Sequence, residues 1–84
     1  MNEVFIIGKI TTKIEFDFIL NSKYVSLSRF RVATICAKQK IDVIAYDEMA
    51  DYVYANLKIN DIIMINGYLK NDEVVLKNIE KKII

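Results

Sequence analysis

Residues 43–69 read VIAYDEMADYVYANLKINDIIMINGYL. The period of the apolar residues changes twice across this stretch. Ile41, Val43 and Ala45 fall on one face of an extended chain, and Asp42, Ile44 and Tyr46 on the other, which predicts a strand from Ile41 to Tyr46. Asp47 follows as a candidate N-cap, and Glu48 and Asp51 stand where a helix dipole favours acids. Met49, Val53 and Leu57 then recur at i, i+4 and i+8, flanked by Ala50. That spacing predicts a helix of about three turns with one apolar stripe. Asn60-Asp61 marks a turn, and Ile62–Leu69 reads as strand again.

The rest of the chain reads as strands. Val4–Ile10 is apolar on both faces as far as Ile7, and Gly8 within it marks a bulge or sharp bend. Ile14–Leu20 alternates, with Ile14, Phe16, Phe18 and Leu20 on one face. Asn21-Ser22-Lys23 is a turn. Tyr24–Ile35 is a second long strand, with Phe30 and Val32 on one face and Arg29 and Arg31 on the opposite one. Lys38-Gln39-Lys40 is a short polar connection, Asn71-Asp72 a hairpin tip, and Val74–Lys82 the last strand. The order β-β-β-α-β-β predicts an all-β fold with one helix: a five-stranded Greek-key barrel plugged at one end, the OB architecture. An open sheet with a helix packed on it is the alternative. Closure is preferred because it removes edges that Ile-rich strands would otherwise expose.

At 84 residues the chain makes one domain, 1–84, with a modest core. Its 54% apolar content exceeds what so small a core covers, which predicts burial between subunits. The start MNEVFIIGKI is not a signal peptide, and no apolar run approaches the ~20 residues of a membrane span. The expected setting is cytoplasmic, with no membrane partner. Abundant Ile, Lys and Asn and no proline point to an AT-rich genome, as in a low-GC bacterium. Net charge is +1, but residues 1–40 carry seven basic residues against three acids, and residues 41–84 carry five against eight. A basic half on a neutral chain fits a basic face, or charges that fell this way without a role.

Catalysis is not expected. There is no histidine and only one cysteine, Cys36, so no nucleophile–base pair and no ready metal site exist. Asp47, Glu48 and Asp51 read as helix-start acids rather than as metal ligands, and Gly8 and Gly67 stand apart from any phosphate loop. No cofactor is implied. Aromatic and basic side chains remain, the pair of chemistries that holds single-stranded nucleic acid by stacking and phosphate contact. Phe16, Phe18 and Phe30 read as core. Tyr46, opposite in parity to Val43 and Ala45, is a candidate outward platform, as is Tyr24 beside its turn. Tyr52 and Tyr54 read as packing or interface residues, and Tyr68 fits either side of its strand. Packing remains the commoner use of any one tyrosine.

Several stretches together resemble the bacterial single-stranded DNA-binding proteins. MNEVFIIGKI is similar to that family's "MN-x-V" opening strand, which ends in Gly. Phe30–Thr34, FRVAT, is similar to its "F-x-hydrophobic-AT". Residues 43–69 are similar to its run of strand, aromatic, helix and "hydrophobic-x-G-x-L". The resemblance covers nearly the whole chain and implies an OB barrel in which Tyr46 stacks on a base. Departures accompany it. Two family tryptophans fall near Lys38 and Lys40, the family arginine of the third strand falls at Asp42, and the hairpin tryptophan has no counterpart near Asn71–Glu73. The closing Glu-Lys-Lys-Ile-Ile lacks the family's acidic tail. The chain thus resembles a minimal, tail-less relative, like the primosomal accessory proteins.

These readings predict a non-enzymatic module that works as a homodimer or homotetramer and binds single-stranded DNA with little sequence preference, in replication, recombination or repair. Tyr46 and Tyr24 would stack, and Lys9, Arg29, Arg31, Lys38 and Lys40 would track phosphates. The alternatives are a protein-assembly barrel that meets replication proteins with weak or no DNA binding, and RNA binding.

Overall fold

A computed structural model of the chain describes residues 3–19, 23–36 and 39–82. Six strands and one helix follow in order: β1 (Glu3–Ile10), β2 (Glu15–Phe18), β3 (Ser26–Thr34), β4 (Lys40–Tyr46), α1 (Glu48–Asn56), β5 (Ile62–Lys70) and β6 (Glu73–Lys82). The strands form one sheet in the order β1-β5-β6-β4-β3-β2, and a further β1–β3 pairing closes it. All pairings are antiparallel except β4 with β6. This is the expected five-stranded OB barrel, with its first strand interrupted. β1 and β2 lie end to end along the same neighbour: Gly8–Ile10 faces Thr34–Val32, and Glu15–Phe18 faces Arg29–Ser26. At the break, threonine hydroxyls supplement the ladder. Thr11 donates through both its amide and Oγ1 to the Arg31 carbonyl, and the Arg31 amide donates to Thr12 Oγ1 at 2.9 Å.

The core is the inward set of each alternation: Ile10, Phe30, Val32, Val43, Ala45, Ile63, Ile65, Val74 and Leu76, joined by Val53 and Leu57 of α1. Gly8 is required where β1 leaves β5 for β3. A Cβ there would run into the Val32 side chain and the Ala33 carbonyl. Of the bulge or sharp bend expected at Gly8, no bulge occurs there, since both pairings keep their register; the shift lies between Asn66 and Gly67, where β5 meets β6. Asn71 and Asp72 both have positive φ, 51° and 65°, as a two-residue type I′ hairpin requires.

α1 covers one end of the barrel with Ala50, Val53 and Leu57, while Met49 sits half-buried at the edge of the stripe. Buried Ser28 donates to the Ala50 carbonyl at 2.8 Å and so ties the helix to β3. Two expectations need correction. Asp47 does not cap the helix with its side chain. It turns the chain at φ 52°, and its Oδ1 instead accepts from the Val25 and Ser26 amides at 2.8 and 3.3 Å. Phe18 is not core but 77% exposed, and Phe16 is half-buried. β2 pairs only with β3 and runs past the closed part of the barrel, so its inward face meets the flank of α1. The Asn21–Ser22 part of the expected turn and Lys38 lie outside the described residues.

Candidate nucleic-acid interface

Residues directly opposite each other in a sheet share a face, so the register places side chains row by row. On the outer surface of β3 and β4, the first row is Lys9, Ala33 and Lys40. The second is Arg31 and Asp42, the third Arg29 and Ile44, and the fourth Leu27 and Tyr46. From Ala33 to Leu27 the strip is roughly 20 Å long at the usual strand rise. It begins with two exposed lysines, continues through two half-exposed arginines and ends at an aromatic. Six of the seven expected residues thus share one face or its end; the seventh, Lys38, is not described.

Tyr46 is not a lone platform. Tyr24 stacks on it with ring centroids 4.1 Å apart and planes 17° from parallel. Two features hold the pair. The β3–β4 register puts Tyr46 beside Leu27, and the Asp47 carboxylate grips the amides just after Tyr24. Both rings are half-buried, and Lys23 Nζ lies 5.5 Å from the Tyr24 centroid. The two tyrosines form a preassembled stack at the strand end.

Neither arginine is unpartnered. Arg31 Nε donates to Asp42 Oδ1 at 2.7 Å, and this hydrogen bond and charge hold the guanidinium further above its ordinary pKa. Arg29 Nε lies 3.4 Å from Glu73 Oε2. Exposed pairs of this kind are worth only ~0–1 kcal/mol, so a phosphate can displace the carboxylate. Beside them an open groove of about 300 Å³ is lined by Thr12, Lys13, Glu15, Arg29, Phe30, Arg31 and Asp42.

Sequence reasoning missed the extension of this face across β6 and β5. The Arg29–Ile44 row continues through Val75 to Tyr68, and the Arg31–Asp42 row through Glu73 to Lys70. Tyr68 is exposed there, whereas Ile44 and Val75 are only 3% and 6% exposed although they point outwards. They make an apolar floor between Tyr46, Arg29 and Tyr68. Alternation alone puts Ile44 on the Tyr46 face, but no local signal carries that face on to Val75 and Tyr68, because in Ile62–Leu69 both alternating sets are apolar.

Among the described residues there is no cluster of three potential metal-binding side chains, and no helix is long and apolar enough to cross a membrane. No protein-family model matches the chain, and no curated protein matches it in sequence. Solved structures do match. The SSB domain of a Synechococcus sp. protein superposes with a TM-score of 0.84 at 14% identity, covering 94% of this chain and 93% of that one. The small single-stranded DNA-binding protein from Streptomyces coelicolor gives 0.81 at 20% identity, with 98% and 95% covered. The single-stranded DNA-binding protein from Thermus aquaticus gives 0.87 at 20% identity over the whole chain, which spans 41% of that protein's length. At these identities the likeness establishes the fold, an OB barrel of the kind those proteins carry.

Proposed function

We propose that the outer face of β3 and β4 binds single-stranded DNA without base-specific readout, as a binding module rather than an enzyme. One observation carries the reading: a line of cations, Lys9 and Lys40, then Arg31, then Arg29, leads to the stacked Tyr24–Tyr46 pair on one surface. A base extends the tyrosine stack, a contact worth ~1–3 kcal/mol and indifferent to base identity. Arg31 and Arg29 exchange Asp42 and Glu73 for phosphates, and Lys9 and Lys40, with Lys38 beside them in sequence, follow the backbone. Tyr68 and the Ile44–Val75 floor offer a second apolar contact. The shared fold with proteins described as single-stranded DNA-binding supports the same reading.

The module works as a homo-oligomer. Phe5, Ile7 and Ile35 are exposed together on the β1 side, where they line an open groove of about 410 Å³. A second copy gives these residues an apolar neighbour in place of water.

Fluorescence anisotropy with labelled oligo-dT tests the reading. The expected outcome is binding at low salt that weakens steeply as salt rises, because phosphate contacts release counterions. No binding at low salt would overturn it. The second reading, an assembly barrel with little DNA binding, draws on the carboxylates that already occupy both arginines. It predicts a flat oligo-dT titration beside an intact oligomer. A parallel oligo-rU titration separates DNA from RNA preference.

A further inference from the structure

A second aromatic surface lies away from the tyrosine stack, where β2 meets the helix. Phe16 packs against Tyr54 with centroids 5.0 Å apart and planes tilted by 39°, and Phe18 meets Phe16 edge-on at 5.3 Å. Phe18 is 77% exposed and Tyr54 58%. On the far side of Tyr54 an open groove of about 730 Å³ runs between Lys13, Ile14, Leu57, Lys58 and Ile59. Contiguous apolar surface of this kind on a small domain marks a binding site more often than chance.

The chemistry of the groove selects its occupant. Its apolar lining is Ile14, Leu57 and Ile59 beside a single ring, Tyr54, which already packs against Phe16. It suits branched or apolar side chains. Its rim is cationic. Among the described residues neither the Lys13 nor the Lys58 ammonium makes an ion pair. Of the neighbouring acids, Glu48 and Asp51 sit in the first turn of α1, at the opposite end from the groove. Asp61 accepts from the Lys58 amide at 2.9 Å and is paired with Lys81, and Glu15 lines the other groove. Lys58 follows the last helical turn, where a cation is also favoured by the helix dipole. That local benefit does not account for Lys13, which approaches from the strand side.

We infer that the groove between Ile14, Tyr54 and Leu57 docks an acidic segment of a partner protein, whose apolar side chains fill it while its carboxylates meet Lys13 and Lys58. This site is separate from the strand face. Lys13 borders both grooves, so Lys58 and Tyr54 are the discriminating positions.

The test is a titration of the full chain with a short fluorescein-labelled peptide of alternating Asp and Leu, with its Lys/Leu counterpart as control. The Asp/Leu peptide is expected to bind and the Lys/Leu peptide not to. Lys58→Glu and Tyr54→Ala are each expected to weaken the peptide by about tenfold, a change of ~1.4 kcal/mol. The oligo-dT affinity should stay unchanged in both variants. Equal binding of both peptides, or no binding of either, overturns the inference. So does a loss of oligo-dT affinity in Lys58→Glu, which would assign the groove to nucleic acid. A change of assembly state in Tyr54→Ala, read by sedimentation, would assign it to a second copy and overturn it equally.

Discussion

Two outer faces of the same barrel obey the same alternation and end up with opposite chemistry. On β3 and β4 the outward residues include Arg29, Arg31, Lys40, Asp42 and Tyr46, with each arginine held against a carboxylate. On β1 and the facing part of β5 they include Phe5, Ile7, Ile62 and Met64, with Asn66 opposite Phe5 and Lys9 opposite Ile62, and Phe5 is 76% exposed. The first face keeps its charges in weak, exchangeable pairs, as suits a polyanion that must come and go. The second leaves apolar area in water, the kind of patch that marks an interaction surface. Pointing outwards on a small barrel is therefore not a single condition. The neighbouring rows decide whether a position stands alone in water, sits in an ion pair or joins an apolar patch.

Gly8 lies at the seam between the two faces, so Gly8→Val should damage both. The added side chain meets Val32 and the Ala33 backbone, and overpacking of this kind costs roughly 2–3 kcal/mol. Thermal unfolding followed by circular dichroism should show a lowered midpoint, together with loss of both oligomer and oligo-dT binding.

Phe5→Asp separates the faces. It should dissociate the oligomer, with a weakening of roughly 50-fold for the loss of ~2–3 kcal/mol of apolar burial, while the monomer keeps its melting temperature. Sedimentation velocity measures this. Intact assembly in Phe5→Asp would leave the apolar face without its role.

Tyr46→Ala acts in the opposite sense. Oligo-dT affinity should fall roughly 10- to 30-fold at constant salt, as expected for one lost stacking platform, with the assembly unchanged. Tyr24→Ala should follow it in the same direction, and the double variant should lose less than the sum, because the rings act as one stack.

The smallest effect sharpens the comparison most. Asp42→Asn removes the carboxylate that occupies Arg31, so oligo-dT should bind a few-fold more tightly at low salt, within the ~0–1 kcal/mol of an exposed pair. Arg31→Ala should instead lower the slope of log affinity against log salt by about 0.7, the value for one phosphate contact on a single strand. An unchanged salt slope in Arg31→Ala would show that Arg31 does not touch phosphate.

The sequence by itself determined the elements and much of their facing. Alternation around Phe30 and Val32 put Arg29 and Arg31 on one surface, the period change after Tyr46 placed the helix, and Asn71-Asp72 marked the hairpin. These are properties of residues two to four apart, where backbone geometry alone sets which side chains are neighbours. Only the tertiary structure decided the rest. Tyr24 and Tyr46 are far apart in the chain, and the β3–β4 register and the Asp47 carboxylate bring them into a stack. Parity made Phe18 a core residue, yet β2 outruns the barrel and leaves it in water. Tyr68 and Val75 joined Ile44 on the face because β6 runs parallel to β4 and brings β5 alongside it. Register between distant strands depends on how the whole sheet closes, and no local period encodes it.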